Sequence, residues 1–380
     1  MEGRTSPRRG GWAALHADIQ GAGDTAALHR IHLAAVAIAR RAAARLRTAA
    51  ELGSLFRRLA RFHDAITARV LALTAADLAA GGFGPPPLPF CWLFLGSAAR
   101  REQTVRVDQD NALIYAEPAD HHEAERAAAY FAAFAAGANE RLAEAGYPLC
   151  PGNVMASNPR WRGPWSHFHQ QFEEWLHRGD LDALRFLLIA ADMRPGPGDA
   201  ALGAPWTAWI HQRLTKDPAF LERAAGHGLA HRVPLGLFGH FLLERQGEHC
   251  GALHLKEGAY FPFVHSLRVL ALCAGVKETA TFERIDALCR LGVLPPAAAE
   301  RYRTCFAHLL RLRLGRHVRD GESPDYLRPR ELGGADRAAL RASCQAARRL
   351  QRLAGRSARR KRAAARATLT ERLVYLLRGG

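Results

Sequence analysis

The stretch Leu93–Glu117, LFLGSAARREQTVRVDQDNALIYAE, decides the fold class. It begins inside a short apolar run, CWLFLG, that suits a β-strand and breaks at Gly96-Ser97. It closes in a second strand-like run, NALIYAE, with Asp108 and Asp110 at its head. Residues i and i+2 of a strand share a face, so the two carboxylates are expected side by side. Like charges so placed repel, and burial adds a desolvation cost. A divalent cation removes both penalties, and Mg²⁺ is held by one or two carboxylates together with phosphate oxygens and water. Two such ions can clamp the attacking and leaving oxygens of a nucleotidyl transfer.

Gly96-Ser97 fits the other half of that chemistry. A glycine at a strand end lets the backbone approach a phosphate closely. The Ser97 hydroxyl can donate to triphosphate oxygens, and Arg100 and Arg101 follow as candidate phosphate clamps. A third carboxylate is expected to complete the metal shell or activate the acceptor. Asp192 is the candidate, at the end of an expected strand in RFLLIAADMRPGPG, with Arg194 beside it. Gln109 and Asn111 alternate to the face opposite the aspartates, where a structural hydrogen-bonding role is expected.

Outward from this stretch the pattern is helical, then mixed, then helical. AALHRIHLAAVAIARRAAARL and LGSLFRRLARFHDAITARVLAL read as amphipathic helices with no proline to break them. GGFGPPPLP, Gly81 to Pro89, reads as a linker. HHEAERAAAYFAAFAAGANERLAEAG returns to helical period, and GPWSHFHQQFEEWLHRG reads as a further helix. YPLCPGNVMA is a candidate third strand and RFLLIAAD a fourth, while WRGPW reads as a loop. The expected organisation is an N-terminal helical region at 1–84, an α+β domain at 85–204, and a C-terminal helical domain at 205–380. Asn153 and Asn158 either orient a loop or stand near substrate.

The net charge of the chain is +17. Residues 301–380 hold 21 Lys and Arg against 6 Asp and Glu, a net of +15, so the rest is close to neutral. Such a basic tail is either a solvated helical face or a surface for nucleic acid. The seven cysteines form no CxxC pair, which fits free thiols in a reducing cytoplasm. No apolar run reaches the length of a membrane span, and MEGRTSPRRGGW is followed by no apolar secretory core. His249, Cys250 and His254 match no zinc spacing.

Gly-Ser, an Asp-x-Asp eleven residues after the serine, and a later aspartate resemble the DNA polymerase β-like nucleotidyltransferase superfamily. GSAARREQTVRVDQDNALIY is similar to the signature of a family of bacterial nucleotidyltransferases that resemble PII uridylyltransferases and glutamine-synthetase adenylyltransferases. PGNVMASNPRW, IAADMRP, HLKEGAYFPFVHSLRVLAL and DYLRPREL follow in the expected order, the last two within its substrate-binding helical domain. The resemblance covers roughly residues 25–355. It implies a polymerase β-like core and transfer of a nucleoside monophosphate from an NTP to an acceptor, in a cytoplasmic signalling role. Asp108, Asp110 and Asp192 would hold Mg²⁺ or Mn²⁺, and Gly96, Ser97, Arg100 and Arg101 would hold the nucleotide. A protein acceptor is expected. The alternatives are a nucleotide-binding regulatory module without turnover, and an enzyme acting on nucleic acid through the basic C-terminal helices.

Overall fold

The computed structural model describes residues 11–46, 48–106, 108–318 and 325–377, with the side chains of 368–377 left aside. Val107 and the first ten residues, on which the reading of the N-terminal stretch rests, lie outside the described residues. Two compact units are present. The first takes in Met1–Leu46, Ser54–Gln170 and Arg194–Ala204; the second takes in Arg47–Gly53, Gln171–Met193 and Pro205–Gly380. The helices expected as a separate N-terminal region thus fold for the most part with the sheet.

The first unit begins with α1 (Trp12–Gly21), α2 (Thr25–Arg45) and α3 (Ala49–Ala80). Asp24 caps α2 by accepting the Ala27 N–H, which satisfies one of the free donors of the first turn. β1 (Phe90–Phe94) follows the expected linker, then the single turn α4 (Gly96–Ala99), β2 (Asn111–Tyr115) and α5 (His121–Glu144). Asp120 caps α5, and Gly146 closes it at φ +104, a conformation suited to glycine. β3 (Arg162–Pro164) leads into α6 (Trp165–Arg178), and β4 (Arg194–Gly198) completes the sheet.

The sheet order is β3-β2-β1-β4. β1 pairs antiparallel with β2 and with β4, while β2 and β3 run parallel. Trp92, Phe94, Leu113 and Tyr115 meet Phe62, Ile66, Phe131 and Phe134 of α3 and α5 in one buried core. Each such side chain contributes roughly 1.5–3 kcal/mol by leaving water.

Two expected strands are not strands. Most of RFLLIAAD lies in a helix, α7 (Leu181–Ala190), capped by Asp180; the strand is the RPGPG that follows. YPLCPGNVMA is a turn-rich segment, and the third strand lies in WRGPW, read as a loop. Both true strands carry proline and occupy the two edges of the sheet. Proline is tolerated there because an edge strand leaves N–H positions without a ladder partner.

The second unit is helical: α8 (Ala200–Thr215, entering it from Pro205), α9 (Pro218–Ala230), α10 (Phe261–Ala274), α11 (Thr281–Arg290), α12 (Pro296–His317) and α13 (Gly334–Leu377). α10 is buried along nearly its whole length, from Pro262 to Cys273. A two-stranded ribbon pairs β5 (Leu253–His254) with β6 (Tyr326–Leu327). Tyr326 stacks on His249 with ring centroids 3.7 Å apart, so this histidine packs on an aromatic ring. Among the described residues no three His, Cys, Asp or Glu side chains gather as a metal site.

Candidate active site

β1 and β2 are joined by the loop that carries both motifs. Phe94 pairs with Asn111, and the Leu95 N–H donates to the Asp110 carbonyl at 3.1 Å, extending the ladder one step. This step brings Asp110 onto Gly96. A Cβ added at Gly96 would collide with the Asp110 carboxylate, and Gly96 has φ +51. Glycine is required there twice over, for the left-handed backbone and for the space. The Gly-Ser turn and the second aspartate are therefore one constellation.

Asp108, Asp110 and Ser97 are each half-exposed, whereas Gln109 and Asn111 are buried, so the expected alternation holds. Among the described residues Asp108 takes no hydrogen bond or ion pair. Asp110 Oδ1 accepts from the Cys150 thiol at 3.4 Å. Burial, then the Asp110 charge, push that thiol up to about 11, so it stays protonated and donates. The donor set around the two aspartates is hard oxygen, which suits Mg²⁺ or Mn²⁺ bound by two carboxylates plus phosphate and water.

A buried amide cluster holds the Asp-x-Asp from behind. Gln109 Nε2 donates to the carbonyls of Asn139 (2.8 Å) and Tyr147 (2.9 Å), and its Oε1 accepts from Asn139 Nδ2 at 2.6 Å. Asn139 Nδ2 also donates to Asn111 Oδ1, which accepts the Ala156 N–H. The backbone N–H groups of Gln109 and Asn111 donate to Pro148 and Val154, so YPLCPGNVMA braces the motif without forming a strand. Gln109 and Asn111 have the structural role expected of them. Asn139 was not foreseen: it lies 28 residues beyond Asn111, on α5, and only the fold brings it there.

Two histidines hold the intervening loop. His63 of α3 donates from Nε2 to the Thr104 carbonyl (2.9 Å), and its Nδ1 accepts the Tyr147 hydroxyl (2.7 Å). His32 of α2 donates to the Val105 carbonyl at 3.0 Å. Burial, reinforced by His32, pushes His63 down to about 3, so it is a neutral structural imidazole. Arg194 of β4 grips Asp64 through two bonds of 3.1 and 2.8 Å and reaches the Ala98 carbonyl at 3.3 Å. His63, Thr67, Gln103, Tyr147 and Asp110 line a small cleft beneath the Gly-Ser turn.

Two sequence expectations change here. Arg100 is buried and paired with Glu102 at 3.0 Å, so it braces the turn. Arg101, half-exposed at φ +56, is the guanidinium of the two with more access to solvent. Asp192 belongs to the second unit, follows a helix and has no solvent exposure. Arg268 donates to both its oxygens, at 3.0 Å from Nε to Oδ2, and Arg284 Nη2 donates to Oδ1 at 2.6 Å. Held this way, its carboxylate neutralises buried arginines and is closed to a metal or an acceptor. Asn158 donates to the Asn153 carbonyl at 3.0 Å, and Asn153 sits at φ +52, so this pair organises a loop.

A sheet edge-flanked by helices, with a Gly-Ser turn seated on an Asp-x-Asp, defines an α+β nucleotidyltransferase core. Family models agree. Residues 37–182 match Putative nucleotidyltransferase DUF294, and residues 218–358 match its companion, Putative nucleotidyltransferase substrate binding domain. The chain belongs to this nucleotidyltransferase family. No curated protein matches it in sequence. No described helix is long and apolar enough to cross a membrane.

Proposed function

We propose that the chain transfers a nucleoside monophosphate from an NTP to a hydroxyl on a protein acceptor, with Mg²⁺ or Mn²⁺, in a regulatory role. The carrying observation is the seating of the Asp110 carboxylate against Gly96, which joins the carboxylate pair to the Gly-Ser turn in one constellation. In this reading Asp108 and Asp110 hold the metal, which supplies charge neutralisation for the triphosphate. Gly96 and Ser97 receive the phosphates, and Arg101 adds positive charge. The acceptor oxygen bonds to the α-phosphorus, the bond from the α-phosphorus to the bridging oxygen breaks, and pyrophosphate leaves. The acceptor's proton passes to solvent, which reaches the half-exposed carboxylate pair.

A protein acceptor rests on the resemblance to PII uridylyltransferases and on the second unit's match to a substrate-binding domain. The test incubates the purified chain with Mg²⁺, each α-³²P NTP and a cell lysate, then resolves the products under denaturing conditions. The expected result is one protease-sensitive labelled band, absent with Asp108→Asn/Asp110→Asn. Binding of NTP with no label under any condition would favour a regulatory module instead. A nuclease-sensitive band would move the acceptor to nucleic acid.

A further inference from the structure

We propose that the solvent face of α13 is a sequence-independent binding site for the backbone of double-stranded DNA. Arg349, Arg352, Arg356, Arg359 and Arg360 are all exposed. At 100° per residue they fall within an arc of about 100° on the helix. Leu340, Ala347, Leu350, Ala354 and Ala358 occupy the opposite side and are buried within the second unit. Arg301 of α12 is exposed too, and its charge reaches Tyr302 together with that of Arg349, which places the two guanidinium groups in one neighbourhood. Between Asp336 and Glu371 the chain carries no acidic residue, so nothing on α13 itself neutralises this row.

The spacing selects the ligand. Arg349 to Arg360 spans roughly 16 Å of helix axis, so the five charges stand on average about 4 Å apart along it. One strand of a duplex presents one phosphate per about 3.4 Å. Guanidinium forks match phosphate oxygens in two parallel hydrogen bonds. The face carries nothing that would favour unpaired bases or a bilayer over a duplex backbone. α13 has no aromatic residue before Tyr375, hence no platform on which unpaired bases would stack. Its apolar side is already buried, so it does not lie in a bilayer surface as an amphipathic helix does.

The experiment measures binding of the full chain to a fluorescent 20-base-pair DNA by anisotropy from 50 to 200 mM salt. Neutralising five phosphates gives a slope of log K against log salt near −4.5, a loss of about 500-fold across that range. Arg352→Gln/Arg356→Gln/Arg359→Gln should flatten the slope by about 3. Arg41→Gln/Arg57→Gln/Arg58→Gln removes the same charge from the first unit and should leave the slope intact; circular dichroism checks that both variants fold. Equal losses in the two variants would make the binding a net-charge effect and overturn the proposal. So would tighter binding of the separated single strand, of poly-glutamate or of anionic lipid vesicles, or a salt slope near zero.

Discussion

Asp110 and Asp192 are the same residue type in opposite circumstances. In the first unit Asp110 is half-exposed, with a weak thiol donor on one oxygen and bare glycine backbone against it. The elements behind it are neutral amides and imidazoles, hydrogen-bonded to the motif and its loop, so position is fixed without cancelling charge. In the second unit Asp192 is fully enclosed between two guanidinium groups that cancel its charge. A carboxylate that is to bind a metal, as proposed for Asp110, must keep charge and access; one set in a core must lose both. Within one turn, Arg100 is buried against Glu102 while Arg101 is half-exposed.

The largest effect expected on stability comes from Asp192→Asn. It leaves Arg268 and Arg284 buried without a countercharge, which costs about 3–5 kcal/mol. Denaturant unfolding should show this loss, while Asp108→Asn/Asp110→Asn changes stability by less than about 1 kcal/mol. Equal stability losses for the two sets would erase the distinction between the two regions.

Gly96→Ala sharpens it from the other side. Left-handed backbone and the collision with Asp110 should cost about 1–3 kcal/mol in stability and displace the carboxylate. Nucleotidyl transfer should fall at least about 100-fold, as expected for misplacing a reacting group. Near-normal transfer by this variant would separate the Gly-Ser turn from the chemistry.

Acid titration probes both regions at once. His63 in the first unit and His265 in the second are each pushed down to about 3, in both cases chiefly by burial. Between pH 6.5 and about 3 the unfolded chain binds protons that the folded chain does not. Stability therefore falls as the pH drops through that window, by up to about 1.4 kcal/mol per pH unit for each histidine. His63→Gln or His265→Gln should flatten the acid limb by one proton, read from unfolding free energies at several pH values; an unchanged limb would place the protonation elsewhere. The smallest effect belongs to Cys150→Ser, which exchanges one donor to Asp110 for another. The Mg²⁺ concentration for half-maximal transfer should move only a few-fold, within about 1 kcal/mol.

Much of this was readable in the sequence, because β1, the Gly-Ser turn and the Asp-x-Asp lie within 21 residues of one another. Their alternation of apolar, buried polar and half-exposed positions is a local signal. The edge strands were misread because RGP and RPGPG carry the residues of turns, and only a place at the sheet edge makes them strands. Asp192 was misread because LLIAAD is apolar enough for either a strand or a helix, and helical period over ten residues is short evidence. Arg268 and Arg284, which decide its role, lie 76 and 92 residues away. Asn139, His63 and Tyr147 were invisible for the same reason: each is ordinary in its own helix or turn and acquires its role only by folding.

The most direct test of the central claim is Mn²⁺ binding, read by electron paramagnetic resonance with a non-hydrolysable NTP present. The account predicts bound Mn²⁺ in the wild-type chain, and its loss in Asp108→Asn/Asp110→Asn with folding intact. Bound Mn²⁺ that survives the double substitution, or none in the wild type, would contradict it.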